Sequence, residues 1–128
     1  MRNQIEYLTI NEIKSLLNAI DDIRDIAIIT LFINTGIFLH ELTDLNIDSI
    51  DWNNKLLKIE GIRKRHIPLN EQALESLAKW SQERVDSTIA CLFVTGRGKV
   101  KGLSRRAIDK KIRKYALKAG IKRRVNSL

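Results

Sequence analysis

Arg63, Lys64 and Arg65 in one short turn, Arg97, Lys99 and Lys101 in a glycine-bearing loop, and Arg105, Arg106, Lys110, Arg113 and Lys114 along one stretch are the residues whose types and spacing could do chemistry. That chemistry is the binding of phosphate. A guanidinium presents planar, always-charged donors that match two phosphate oxygens, while an ammonium supplies a compact point charge. The bland alternative is a solvated charged surface that attracts polyanions and selects none. Other reactive combinations do not emerge. His40 and His66 stand apart from any Cys, His or carboxylate group at ligand spacing, so no metal is expected. No Ser-His-Asp or paired-carboxylate logic is readable. The run from Gly96 to Gly102 could let backbone approach phosphates, but it has neither Walker nor dinucleotide spacing, so no cofactor is expected.

The charge is unevenly placed. Residues 1–96 hold ten Lys and Arg against fourteen Asp and Glu, a net −4, whereas residues 97–128 hold thirteen against one, a net +12. Such a concentrated patch raises the local potential and recruits polyanions with an affinity that falls steeply with salt. Nucleic acid is the partner this implies. At 128 residues one domain with one core is expected. No apolar run approaches the length of a membrane span and no secretory signal is readable, so a cytoplasmic protein without a membrane partner is expected. The single cysteine, Cys91, cannot form an internal disulfide and reads as a buried strand residue.

The elements that must position the cations follow from periodicity and caps. Thr9-x-x-Glu12 is a capping box ahead of Ile13, Leu16, Leu17 and Ile20, which predicts a helix over about 9–20. Arg24 to Asn34 is apolar nearly all round and stops at Gly36, as a central buried helix would. Phe38, Leu42 and Leu45 recur at i, i+4 and i+7, predicting a short helix with Phe38 on its inward stripe. Leu56–Ile59 and Arg65–Ile67 flank Gly61 as a hairpin that Pro68 ends. Glu71 to Val85 predicts an amphipathic helix with Ala73, Leu74, Leu77, Ala78, Trp80 and Ser81 inward, and Ala90 to Val94 a third strand. Ser104 caps a last helix running to Gly120, with Ile108, Ile112, Tyr115, Ala116 and Ala119 buried and Arg106, Lys110, Arg113 and Lys114 on another face.

One stretch gives this inventory a family. Thr35-Gly36-Ile37-Phe38-Leu39-His40-Glu41-Leu42 resembles the Thr-Gly-Leu-Arg-x-x-Glu-Leu signature of tyrosine recombinases, the phage integrase family. The likeness continues, in family order, through Leu8-Thr9, Arg24-Asp25, Asn46-Ile47-Asp48, His66-Ile67-Pro68-Leu69, Leu92-Phe93, Leu103-Ser104 and Tyr115-Ala116-x-x-Ala119-Gly120-Ile121. The resemblance implies an α+β, mainly helical fold with helices packed around a small antiparallel three-stranded sheet. Residues 1–128 would be a single partial catalytic domain, with residues 97–124 as its basic DNA-facing segment.

The same resemblance exposes losses. The position of the family's phosphate-clamping Arg holds Phe38, and no phenyl ring can donate a hydrogen bond to a phosphate. Glu41 keeps the family's acidic residue and is expected either to face solvent or to borrow Arg63 or Arg65. Ile62 falls at the family's hairpin lysine, with Lys64 as the candidate substitute from a shortened turn. The family's His-x-x-Arg pair and nucleophilic Tyr would lie beyond Leu128, and neither Tyr7 nor Tyr115 fits the nucleophile's place. Three functions follow as expectations: a DNA-binding integrase-like piece without strand cleavage; one part of an active recombinase completed by a C-terminal segment; or a module pairing with itself or with an intact recombinase. Double-stranded DNA is the expected partner, and Arg105 and Arg106 lead the expected contacts.

Overall fold

The computed structural model describes residues 8–84, 89–96 and 100–121. Helix α1 (Ile10–Asn18) begins at the predicted capping box, in which Thr9 Oγ1 accepts from the Glu12 N–H at 3.1 Å and the Glu12 carboxylate accepts from the Thr9 N–H at 2.9 Å. Helix α2 (Ile23–Thr35) is capped by Asp22 and ends at Gly36, whose φ of 64° lets its N–H reach the Phe32 carbonyl at 2.9 Å. Ala27 through Phe32 are buried without a break, which makes α2 the centre of the core, and its most extensive partner is α4 (Glu71–Glu83). Helix α3 (Leu39–Thr43) follows directly, then a 3₁₀ turn at Ile47–Ser49. Helix α5 (Arg105–Lys118) closes the described fold from its Ser104 cap.

Three antiparallel strands form the sheet, in the order β1 (Ile50–Asp51), β2 (Leu56–Ile59), β3 (Arg65–Pro68). Leu57 pairs with Ile67 and Ile59 with Arg65, and Leu57 and Ile59 bury their side chains on the core face. The third strand is therefore Ile50–Asp51 and not Ala90–Val94. That second segment divides its backbone bonds between two neighbours. The Ala90 carbonyl accepts from Ile47 and the Leu92 N–H donates to Leu45, whereas the Phe93 carbonyl accepts from Leu103. Only single bridges form, Cys91 with Asn46 and Val94 with Gly102, so neither side extends into a ladder. Cys91 is half-buried at this crossing, and its sulfur occupies the space beside Gly102, where an added Cβ would come within 2.7 Å of Sγ. In α4 the inward stripe is Ala73, Ser76, Leu77 and Trp80, with Ser81 exposed: the 3.6-residue period carries position 81 past the core edge. Ala119 is half-buried beside the α5 stripe of Ile108, Ile112, Tyr115 and Ala116.

A buried polar junction fixes α5 against α2. Asp25 is 2% exposed and accepts from Tyr115 Oη at 2.6 Å, Arg24 Nε at 3.1 Å and Lys111 Nζ at 3.3 Å. Arg24 Nη1 also donates to the Val94 carbonyl at 3.1 Å, so three distant segments meet there. Burial, and then the hydrogen bond to Asp25, push the Tyr115 hydroxyl well above the ordinary tyrosine range. Tyr115 acts as a hydrogen-bonded core anchor.

Candidate nucleic-acid interface

Helix α3 sits between two sets of cations. Its register differs from the sequence expectation, because the helix starts at Leu39 and Phe38 is its N-terminal flanking residue in extended backbone. Ile37, Leu39, Leu42 and Leu45 fill the core, and Phe38 is left half-buried, off the inward stripe. The Phe38–Leu42–Leu45 spacing placed the ring one residue inside a helix that begins after it. The Phe38 ring instead stacks on His40, with centroids 5.7 Å apart and planes 10° off parallel, and the Arg63 guanidinium lies 5.1 Å from its centroid. His40 is exposed on the outer side of α3.

Glu41 turns inward to a partner 24 residues away. Arg65 Nη1 donates to Oε2 at 2.7 Å and Nη2 to Oε1 at 3.0 Å, a bidentate fork, and the Phe38 N–H donates to Oε1 at 2.9 Å. Burial would raise this carboxyl's pKa, but the Arg65 and Phe38 hydrogen bonds outweigh it and hold the group below its ordinary value. Of the two partners left open by the sequence, Arg65 takes the carboxylate. Arg65 also donates to the Arg63 carbonyl at 2.7 Å, which braces the turn. Its guanidinium is thus already engaged. Lys64 lies 3.7 Å from Glu60 with both side chains largely exposed, a weak pair.

On the other side of α3, Leu39 lines a depression of about 510 Å³ together with Arg105, Arg106, Asp109, Lys110 and Arg113 from α5. Consecutive residues thereby face the two sets: Phe38 lies under Arg63 of the hairpin, and Leu39 lines the depression shared with the α5 cations. Arg113 is paired with the buried Asp109 at 2.8 Å, and Lys114 lies 6.0 Å from the Tyr115 ring. Arg105, Arg106 and Lys110 are exposed and make no salt bridge to any described residue, and neither does Arg63. Lys101 is exposed in the strand-like crossing, where its N–H donates to Thr95 Oγ1. Arg97 and Lys99, and the end of the 97–124 segment from residue 122, lie outside the described residues.

The allocation of the cations is not legible in the sequence. Lys111 is drawn inward to Asp25, and Tyr115 meets Asp25 from 90 positions away, which no local pattern announces. The one usable signal was the i, i+4 spacing of Lys111 and Tyr115, which puts both on one face of α5.

Comparison with known proteins gives this geometry a family. The chain is 32% identical over 121 residues to the tyrosine recombinase XerC of Caldanaerobacter subterraneus subsp. tengcongensis, covering 90% of this chain and 34% of that protein. It is 34% identical over 121 residues to the tyrosine recombinase XerA of Pyrococcus furiosus, covering 90% of this chain and 42% of that protein. A crystal structure of XerA recombinase superposes with a TM-score of 0.85 at 27% identity, over 94% of this chain and 46% of that one. The chain thus spans less than half the length of these relatives. The sequence model of the phage integrase family matches residues 6–127, and the chain belongs to that family.

Proposed function

We propose that this chain binds double-stranded DNA as an integrase-like recombination module and does not itself cleave strands. The carrying observation is the convergence of two cation sets on α3 while the position expected to hold a phosphate-clamping arginine carries Phe38. A helix N-terminus already bears partial positive charge, so cations in its first turn are unfavourable on local grounds. Helix α5 nevertheless begins Arg105-Arg106, with no acidic residue in that turn. The cost becomes intelligible when a polyanion neutralises the potential. The 97–124 segment is the DNA-facing part in this reading, with Arg105, Arg106 and Lys110 in the lead, Arg63 from the hairpin, and Arg113, Lys114, Lys64 and Lys101 in supporting places. Arg65 is reassigned from contact to positioning.

Cleavage would need charge stabilisation on the phosphate in the transition state, and with Phe38 in place and Arg65 held by Glu41 that stabilisation is depleted. A second reading, pairing with another copy or with an intact recombinase, draws support from Leu117, which is 77% exposed on α5. Fluorescence anisotropy with a labelled duplex across a KCl series tests the primary reading. Affinity should fall linearly on a log–log plot, and replacing Arg105, Arg106 and Lys110 by Ala should flatten the slope by about 0.9 for each phosphate that is no longer neutralised. A chain unbound at low ionic strength, or one indifferent to salt, would refute it, as would a covalent adduct on a nicked suicide duplex for the claim of inactivity.

A further inference from the structure

The hairpin offers three cations, and the structure disposes of them differently. Arg65 is committed to Glu41 by a two-pronged ion pair. Lys64 has Glu60 beside it, so a phosphate must compete with a carboxylate there. Arg63 has no carboxylate within salt-bridge reach among the described residues, and its guanidinium lies over the Phe38 ring. We infer that Phe38 is an aromatic platform that holds the Arg63 guanidinium ready for a phosphodiester oxygen, a contact that serves binding and does not replace the missing clamp for cleavage.

The contacts form a closed circuit. The Phe38 N–H donates to the Glu41 carboxylate, Glu41 receives Arg65, Arg65 donates to the Arg63 carbonyl, and the Arg63 side chain returns to the Phe38 ring. Both ends of the cation–ring contact are therefore fixed through their main chains by one ion pair. A ring face attracts the guanidinium without using its N–H groups, so the donors stay available to an anion. A carboxylate in the same place would have consumed them. His40, stacked on the same ring, limits the orientations the ring can take. The cleft between α3 and the hairpin, about 570 Å³, is lined by the cations Arg63 and Lys58 and also by the acidic Glu41, Asp44 and Glu60, so it has room for a backbone phosphate but one that must be held on its Arg63 side.

This inference rests on the DNA-binding reading above, and its test separates the two. The full chain is titrated with duplex DNA over a KCl series as wild type, Arg63→Ala, Phe38→Leu, Phe38→Trp and the Phe38→Leu/Arg63→Ala double variant. Arg63→Ala should weaken binding about fivefold at low salt, the scale of one exposed ion pair, and reduce the salt slope by about 0.9. Phe38→Leu keeps apolar volume but removes the ring face, and should lose nearly as much. The double variant should lose no more than Arg63→Ala, and Phe38→Trp, with the better face, should retain binding. The Arg63 Hε resonance should be shifted upfield by the ring in wild type and revert in Phe38→Leu, which a mere packing role for Phe38 would not produce. Salt-dependent DNA binding that is indifferent to Arg63, or additive losses in the double variant, would overturn the platform and leave the DNA-binding reading standing. Absence of any DNA binding would overturn both.

Discussion

Replacing Glu41 puts the largest strain on the geometry around α3. The carboxylate is 5% exposed and receives three hydrogen bonds, two from Arg65 and one from the Phe38 N–H, while the Arg65 side chain is 34% exposed. Removing one partner of a fully buried pair costs about 3–5 kcal/mol, because the other charge is stranded. Here Arg65 can turn part of its guanidinium to water, so discounting for exposure brings the cost below that range, to about 2–3 kcal/mol for Glu41→Ala. With an unfolding entropy of about 2.1 cal/mol/K per residue, a chain of this size loses about 4 °C of Tm per kcal/mol, so Tm should drop by about 8–12 °C. Calorimetry and urea titration of Glu41→Ala, Arg65→Ala and the double variant measure the coupling directly. The double variant should be scarcely worse than Glu41→Ala, giving a coupling of about 1.5–3 kcal/mol. If the single effects instead add to within about 0.5 kcal/mol, the fork contributes nothing to the fold and the account of α3 and the hairpin as one braced unit is wrong.

The remaining expectations concern the same brace and the junction behind α5. Because the Glu41 carboxyl is held below its ordinary value in the folded chain, its contribution to stability is fully present above the unfolded pKa of about 4.3 and is lost as pH falls through the lower folded value. Urea midpoints for wild type and Glu41→Gln should thus draw together as pH falls below the unfolded value, and curves that stay parallel into acid would contradict the assignment. Tyr115→Phe removes one of three side-chain donors to the buried Asp25 and should cost about 2 kcal/mol, read by urea denaturation, with a neutral result arguing against the junction. Gly102→Ala sets a Cβ against the Cys91 sulfur and should cost about 1–3 kcal/mol by overpacking. Cys91→Ala in the same chain should recover most of that loss, and failure to do so would place the strain elsewhere.

Legibility in the sequence divided along physical lines. Local signals that satisfy helix termini were readable one residue at a time: the Thr9–Glu12 box, the Gly36 stop and the Ser104 cap all lie where the side chains put them. So was the all-round apolar character of α2, because a helix buried on every side needs no special pattern. Ala90–Val94 was misread because five apolar residues in a row carry no information about whether one neighbour or two will take their backbone bonds. Phe38 was misread for a related reason: an i, i+4, i+7 count locates a face only once the helix start is known, and here the start is one residue later. Pairings such as Glu41 with Arg65 depend on how the hairpin folds back over α3, and a sequence that offers Arg63 and Arg65 two residues apart cannot choose between them. The basic character of α5 was evident, whereas the diversion of Lys111 to Asp25 required the packed fold.

The junction at Asp25 has a mechanical meaning for α5. A helix advances about 100° per residue, so fixing Lys111 and Tyr115 against one buried carboxylate also sets the compass bearing of every other side chain on that helix. Arg106, Lys110 and Arg113 cannot share their charge around the cylinder by rolling. In the proposed DNA-binding role, the bearing of these cations on the helix is set before contact, so no rotation of α5 is left to give up at docking, and only side-chain rotamers remain to be ordered. One acidic residue in the interior thereby governs the bearing of an almost wholly basic exterior.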